Sequence, residues 1–462
     1  MGSGTAWKQY ASLFILLLGG GISLIWGVAL ENGSRAGVMG FPGIYFGTRC
    51  LLEKCDPYNV HDLERIYEAE GFATHSESTA LRQSVTLYVN LPATFLFVAP
   101  FALLPLATAQ LLWMTLVVGS FSIATLLMWQ LGKNYAPDVS LILAFILISN
   151  CEVIFAGGNT AGLVVSLCVI SVWCFLQQRF LTCAVVCLAV SLVIKPHDAG
   201  LIWLYFLVAG PLHRKRAMLS AALAVALGLV AVVWVSHVAP NWPTELRSNL
   251  AAISGPGGIN EPGPASIGVS SPDMIIDLQT VISVFASVPQ VYNGLSYLVC
   301  ALLLCVWMIA IRRTERSTRN ALLALVSAAA LSMLVTYHRS YDAKLLLLTI
   351  PACALLWKEG KLIRWIAFVL SAGTVLMTGD IPLAMLTHAT RNMRLYSDGL
   401  TEKLLFVLLA RPAPLLLLAV SVIYLLLMMR PVSGERTKTG EAQEANTIIQ
   451  APVPRNLSSP AM

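Results

Sequence analysis

The chain has 462 residues and a formal net charge of +6. Its residues are 57% hydrophobic and only 12% charged, whereas ordinary soluble domains are about 45–50% apolar and about 25% charged. This composition excludes a soluble globular protein and indicates an integral membrane protein. The basic residues lie in short connections beside apolar segments, which is typical of membrane topology and does not favour a nucleic-acid partner.

The elements predicted in chain order are almost all apolar helices. A membrane-spanning helix needs about 20 apolar residues. The first apolar segment lacks a recognisable cleavage site, so we expect it to be retained. Thirteen apolar runs can be recognised, at approximately 11–30, 91–105, 108–131, 138–156, 162–177, 181–194, 198–210, 217–237, 291–311, 320–337, 343–357, 362–378 and 405–429. We therefore predict an all-α, polytopic membrane helix bundle for residues 1–430.

The charges between these runs predict the orientation. Basic connections should be cytoplasmic, and they lie at 214–216, 312–319 and 358–364. Residues 431–462 form a polar, basic-anchored tail that we predict to be disordered and cytoplasmic. The long polar loops 31–88 and 238–290 contain more acidic than basic residues, eight against five and four against one. We expect both loops to be extracytoplasmic.

The number of runs conflicts with this orientation. Thirteen full spans would place the two termini on opposite sides, whereas the basic segments place both inside. One run is therefore not a full span, and we predict about twelve spans. The short run 91–105, which contains three prolines, and the pair 181–194/198–210 are the candidates.

Two charged clusters interrupt apolar sequence. One is Lys195-Pro196-His197-Asp198, and the other is the segment 337–344. A charge near the bilayer centre costs about 2.5–3.5 kcal/mol, so such groups usually line a cavity or a site. We predict substrate-binding roles for Lys195, His197, Asp198, His338, Arg339 and Tyr341. The alternatives are pairing of His197 and Asp198 with each other or with Lys195, and a structural ion pair between Asp342 and Lys344.

The first polar loop contains further candidates. Residues 60–71 have a helical pattern with Leu63, Ile66 and Tyr67 on one face, which predicts a short amphipathic helix at the membrane surface or a cap on the bundle. Cys50 and Cys55 would form a disulfide if the loop faces an oxidising compartment.

Several segments, taken in order, resemble glycosyltransferase family 87, the polyprenol-phosphate-mannose-dependent mannosyltransferase-like proteins of the GT-C superfamily. The resemblance covers most of residues 35–380. The segments are GFPGIYFGTRCLL (40–52), CDPYN (55–59), NLPA (90–93), FLFVAPFALLP (95–105), LW (112–113), GGN (157–159), IKP (194–196), HRSYD (338–342) and LLLLTIP (345–351).

This resemblance implies a GT-C-like bundle that uses a lipid-linked sugar phosphate. An acid in the first outer loop would act as general base, and basic groups would hold the donor phosphate. The family's loop acid precedes the opening Phe, but here Gly40 precedes Phe41. Asp56 becomes our candidate catalytic base, with Glu53 as an alternative, although Asp56 also suits a turn. Asn159 is a candidate substrate-binding residue or a helix N-cap.

We therefore predict a membrane glycosyltransferase that moves a mannose-like hexose from a polyprenyl phosphate to a glycan or glycolipid acceptor at the extracytoplasmic face. The expected location is the inner (plasma) membrane of a bacterium. No cofactor and no metal-ligand spacing is recognisable, although one metal held by loop carboxylates stays open. The alternatives are a lipid-linked sugar flippase or transporter and a catalytically inactive homologue.

Overall fold

Helices account for nearly all the regular structure in this computed structural model, which describes residues 3–33, 40–71, 86–263, 275–390 and 399–430. The all-α prediction is confirmed for these residues. Besides α-helices they contain a 3₁₀-helix at Asp342–Leu348 and an isolated antiparallel bridge between Ile275 and Arg339. The predicted disordered tail, 431–462, lies outside the described residues.

The helices of the first half include two from the first polar loop. In chain order they are α1 (Ser3–Gly33), α2 (Phe41–Leu52), α3 (Val60–Ala69), α4 (Ala93–Ala102), α5 (Leu106–Lys133), α6 (Pro137–Ile148), α7 (Glu152–Gly157), α8 (Thr160–Leu176), α9 (Leu181–Ile194), α10 (Pro196–Val208) and α11 (Pro211–Val238).

The helices of the second half lie on both sides of the 3₁₀-helix. They are α12 (Trp242–Ser254), α13 (Leu278–Phe285), α14 (Pro289–Arg313), α15 (Thr318–Val335), α16 (Thr349–Glu359), α17 (Lys361–Met377), α18 (Asp380–Thr390), α19 (Leu400–Ala410) and α20 (Pro412–Met429).

Six of the described helices are long and apolar enough to cross a membrane, and a seventh span results if the pair α17–α18, bent by 73°, is counted as one. The six are α1, α5, α11, α14, α15 and α20. The run 91–105 yields only the ten-residue α4, which is about 15 Å long and too short to span the hydrocarbon core. The arrangement of about twelve spans stays a prediction.

Proline causes two of the helix breaks. Pro196 begins α10 directly after α9, and Pro412 begins α20 directly after α19. Proline lacks an N–H donor and its ring clashes with the preceding turn, but its fixed φ suits the first position of a helix. Each junction therefore places a polar residue, Lys195 or Arg411, between two apolar helices.

Helix α15 lies at the centre of the bundle. In the 18-residue apolar stretch of α15, 72% of the residues are buried inside the protein. In the corresponding stretch of α11, only 17% are buried. Helix α15 packs against α20, where the Ser327 hydroxyl donates to the Ser421 carbonyl over 2.8 Å. Because α15 ends at Val335, this buried helix determines the position of the charged segment 337–344 that follows it.

The predicted helix in the first polar loop is confirmed as α3. Leu63, Ile66 and Tyr67 are its buried residues. They face protein, since the Tyr67 ring lies 5.2 Å from that of Phe46 on α2. This favours the prediction of a cap on the bundle. Helix α2 was not predicted, because its glycine and proline content obscured the helical pattern. Cys50 and Cys55 form a disulfide at its end.

Replacing Leu323, which is fully buried in α15, by alanine should destabilise the protein. Leu→Ala in soluble cores costs about 2–5 kcal/mol. Lipid is as apolar as leucine, so only the packing part of that cost applies here, and we expect about 2 kcal/mol. Thermal unfolding of the protein in detergent measures this. Leu302→Ala, at a site 59% exposed, is the control, and equal effects of the two changes would contradict the packing described.

Candidate active site

The two charged clusters predicted from the sequence meet in space. Lys195 lies at the break between α9 and α10, and its Nζ is 2.6 Å from Asp342 Oδ1 and 3.7 Å from Asp198 Oδ2. Asp198, in the first turn of α10, and Asp342, at the start of the 3₁₀-helix, are both about 2% exposed. The ammonium is therefore held by two buried carboxylates from separate parts of the chain.

Two imidazoles complete this group. His338 Nε2 lies 3.1 Å from Asp198 Oδ1, and His197 Nε2 lies 3.7 Å from the same oxygen. The two rings are 5.0 Å apart. His338 is fully buried, whereas the side chain of His197 is 38% exposed. We call Lys195, His197, Asp198, His338 and Asp342 the charged cluster.

Arg339 points away from the charged cluster. Its Nη2 donates to the Ile259 carbonyl over 2.7 Å and to Asn260 Oδ1 over 3.0 Å. Its backbone N–H donates to Asp342 Oδ2 over 3.0 Å. The guanidinium is buried, its Nε has no hydrogen-bond partner, and within the described residues no carboxylate forms a salt bridge with it. Arg339 is thus a candidate for binding an anionic ligand.

Tyr341 lies against the lysine of the cluster. Lys195 Nζ is 5.2 Å from the centre of the Tyr341 ring, which is a cation–π contact. The Tyr341 hydroxyl is 3.3 Å from that of Tyr337. The predicted residues Lys195, His197 and His338 therefore meet around Asp198 and Asp342, and Tyr341 lies against Lys195, whereas the Arg339 guanidinium lies outside this group.

The predicted ion pair between Asp342 and Lys344 is wrong. Lys344 Nζ instead lies 3.6 Å from Asp380 Oδ1 and donates to the Thr378 carbonyl over 3.2 Å. In a 3₁₀-helix with three residues per turn, side chains two positions apart point in different directions. Asp342 and Lys344 therefore face opposite partners.

Sequence reasoning missed a second buried group of charges around Lys344. Asp380 Oδ2 accepts the backbone N–H of Val153 over 2.9 Å, next to the fully buried Glu152. Glu152 Oε1 accepts a long hydrogen bond of 3.5 Å from Ser23 on α1. Glu152 interrupts the predicted apolar run 138–156. An acidic residue in such a run was the sequence feature that could have indicated this second group of buried charges.

An apolar cavity of about 340 Å³ shares helix α10 with the charged cluster. Leu201 in its wall follows Asp198 by three residues on α10, and Val335 precedes His338 by three residues. Along α10, the three residues from Asp198 to Leu201 correspond to a rise of about 4.5 Å, whereas the chain from Thr336 to His338 is no longer helical. The cavity is formed by α10, α14 and α15, and its lining residues are Leu201, Tyr297, Cys300, Ala301, Leu304, Leu331 and Val335.

The candidate base Asp56 adopts the predicted turn. Its Oδ1 accepts the backbone N–H of Tyr58 over 2.9 Å, and its own N–H donates to Asp62 Oδ2 over 3.0 Å. Burial, together with the negative charges of Glu245 and Asp62, raises the pKa of Asp56 above its ordinary value. Within the described residues, no hydrogen bond or ion pair joins Asp56 to the charged cluster. The alternative, Glu53, pairs with Arg49 over 2.7 Å.

Asn159 has the predicted N-cap geometry. Its Oδ1 accepts the backbone N–H of Ala161 over 2.9 Å at the start of α8. It follows Gly158, whose φ of +61° ends α7. The substrate-binding role of Asn159 stays a prediction.

Gly40 occupies a position where no side chain fits. A Cβ at Gly40 would lie 1.5 Å from the Gly157 carbonyl oxygen. The neighbouring Phe41 ring stacks on Trp113 at 5.4 Å, and Trp113 Nε1 donates to the Gly158 carbonyl over 2.7 Å. The aromatic contact and the hydrogen bond fix this close approach of two backbones.

A helical bundle with several apolar helices long enough to cross a membrane, and with a cluster of charges buried inside it, defines a polytopic membrane protein. The chain matches the model of glycosyltransferase family 87 over residues 88–337, more than half of its length. It therefore belongs to that family, which confirms the resemblance and places it among glycosyltransferases. Gly40 and Asp56 precede the matched residues. No curated protein and no solved structure matched the chain.

We predict that introducing an acid at the position before Phe41 by Gly40→Asp will not raise transferase activity. The Cβ itself overlaps the Gly157 carbonyl, and overpacking costs typically about 1–3 kcal/mol. Gly40→Ala should therefore lower the melting temperature as well. Gly119→Ala, where a Cβ meets nothing within 4 Å, is the control. A Gly40→Asp protein with wild-type stability and raised transferase activity would show that the close approach is not a constraint.

Proposed function

We propose that this chain transfers a mannose-like hexose from a polyprenyl-phosphate donor to a glycan or glycolipid acceptor at the extracytoplasmic face of the membrane. The observation that carries the proposal is the adjacency of the charged cluster and the apolar cavity. A lipid phosphate has both a charged head and an apolar tail, and the cluster and the cavity share helix α10, along which Asp198 and Leu201 are about 4.5 Å apart.

The donor phosphate would bind at Arg339, and His338 would help to position this site. Lys195 is already neutralised by Asp342 at 2.6 Å, so its ammonium is less available to a ligand than the guanidinium of Arg339. A buried guanidinium with a free Nε suits charge-assisted hydrogen bonds to phosphate oxygens. Lys195, His197, Asp198 and Tyr341 would position this phosphate site, and Asn159 would fix the turn beside Gly40.

In the transfer step, the acceptor hydroxyl oxygen forms a bond to C1 of the sugar. The bond from C1 to the phosphate oxygen breaks, and the polyprenyl phosphate leaves with that electron pair. The acceptor proton goes to the base, for which Asp56 is our candidate. Burial raises the pKa of Asp56, which makes its carboxylate a stronger base than an exposed aspartate.

The membrane arrangement belongs to the same proposal. About twelve spans in a GT-C-like bundle, with the loops 31–88 and 238–290 outside, would place Asp56 on the extracytoplasmic side of a bacterial inner membrane. The Cys50–Cys55 disulfide supports this side, because disulfides persist in oxidising compartments.

A catalytically inactive homologue is the second candidate function. The contact between Gly40 and Gly157 favours it, because the position of the family's acid holds no carboxylate and has no space for one. Such a protein would bind the lipid-linked sugar through the same cavity without breaking a bond.

Purified protein in lipid nanodiscs should transfer radiolabel from a polyprenyl-phosphate hexose to acceptor. Arg339→Gln should raise the donor KM at least about tenfold, because charged hydrogen bonds contribute about 1.5–3 kcal/mol each. Asp56→Asn should lower kcat about 10²-fold or more, the range of general base catalysis. Arg247→Gln, at an exposed arginine of α12, and Glu53→Gln are the matched controls.

Label transfer that survives Asp56→Asn would exclude Asp56 as the base. Donor binding without transfer in the wild-type protein would favour the inactive homologue. Movement of intact donor across a vesicle membrane would instead favour a flippase.

The pH profile gives an independent test of Asp56. The base must be deprotonated, so the rate should fall as the pH drops through the raised pKa of Asp56. Glu245 contributes to this raised pKa through its negative charge, so Glu245→Gln should move the acid limb of kcat/KM to lower pH. Glu53→Gln, which removes a carboxylate engaged with Arg49, should leave the limb unchanged. An acid limb that Glu245→Gln does not move would contradict the assignment.

A further inference from the structure

Three potential metal ligands converge in the charged cluster, although no spacing in the sequence indicates this. The ligand atoms of His197, Asp198 and His338 all lie within 4.8 Å of one another. Asp198 and His338 are separated by 140 positions and become neighbours only because α10 packs beside the end of α15.

The hydrogen bond of His338 prepares it to bind a cation. Its Nδ1 lies 2.7 Å from the Thr336 carbonyl oxygen, and a carbonyl can only accept, so Nδ1 carries the proton. In the neutral ring Nε2 is then an unprotonated lone pair. A backbone carbonyl on the other nitrogen is the usual outer partner of a metal-binding histidine.

That lone pair faces another acceptor. Nε2 is 3.1 Å from Asp198 Oδ1, yet neither the Nε2 atom of His338 nor the Oδ2 atom of Asp198 has a hydrogen-bond partner. Two acceptors at this distance repel each other unless a cation lies between them; a proton on Nε2 gives the ion pair with Asp198, and a metal ion can take the place of that proton. Two ligands on one tetrahedral Zn²⁺ are about 3.3 Å apart, given bond lengths of about 2.0–2.2 Å.

The neighbouring Lys195 does not occupy the space between Asp198 Oδ1 and the two imidazoles. Lys195 approaches Oδ2 of Asp198, at 3.7 Å, and is neutralised chiefly by Asp342 at 2.6 Å. Both imidazoles approach the other oxygen, Oδ1. Lys195 alone faces two carboxylates, so the cluster needs one further positive charge, which either protonated His338 or a bound metal ion supplies.

We propose that His197, Asp198 and His338 bind a first-row divalent metal ion, with Zn²⁺ as the best match. Two histidines and one carboxylate leave one position of a tetrahedral ion open, as in catalytic zinc sites. His197, at the exposed edge of the cluster, supplies the entry path and must move inward slightly to complete the site. The open position would face an anionic ligand such as the donor phosphate.

The test uses untagged, full-length protein in nanodiscs, stripped of metal with EDTA and titrated with Co²⁺. Visible ligand-field absorption at one ion per chain, displaced by Zn²⁺, is the expected result. Loss of a ligand should weaken binding at least about tenfold, since even outer-shell changes cost 10–100-fold. His197→Ala is the main variant, because that side chain is partly exposed and its loss should not prevent folding.

His338→Gln is the second variant, accepted only if its melting temperature shows a folded protein. His61→Ala, which removes a histidine that is 91% exposed on α3, is the control and should bind as the wild type does. Absence of the cobalt absorption overturns the proposal, as does binding that His197→Ala leaves undiminished. No sugar donor is present, so this result is independent of the transfer assay.

Discussion

The buried ion pair between Lys195 and Asp342 is the interaction on which the rest of the site depends. It joins the break between α9 and α10 to the 3₁₀-helix after α15, over a separation of 147 positions. Removing one partner of such a pair costs about 3–5 kcal/mol, because a charge is left without compensation. Asp342 also accepts the backbone N–H of Arg339, so the same carboxylate that holds the lysine orients the arginine.

Interrupted helices make this arrangement possible. Non-helical backbone at membrane depth is tolerated only where it is buried in protein or lines a cavity. At the Pro196 junction the freed polar groups belong to the charged cluster, and at the Pro412 junction the Arg411 side chain donates to the Thr280 carbonyl. At each proline one apolar helix therefore ends, and the basic residue before the proline, Lys195 or Arg411, is placed in the protein interior.

Much of this architecture is readable in the chain, because lipid imposes a simple rule on composition. Apolar runs gave the helices, and the costly charges at 195–198 and 338–342 gave most of the charged cluster. The sequence did not show which charged side chains would contact each other. The pairing of Lys344 with Asp380 instead of Asp342 depends on the phase of a 3₁₀-helix, and the convergence of His197 with His338 depends on how α10 and α15 pack. Neither helix phase nor packing leaves a trace in spacing.

Helix α2 is an element that the sequence pattern failed to predict. Its glycines and proline suggested an irregular segment, but the aromatic side chains of Phe41 and Phe46 bury themselves against Trp113 and Tyr67 and stabilise the helix. Tertiary contacts here override local propensity.

The disulfide between Cys50 and Cys55 ties biogenesis to catalysis. The ring that it closes ends one residue before Asp56, so the covalent link and the candidate base belong to one turn of chain. In the proposed orientation, thiol oxidation occurs only after this segment has been exported. A newly inserted chain would then remain immature until the oxidising machinery of that compartment has acted on it, and strongly reducing growth conditions would leave the turn at 50–55 without its cross-link.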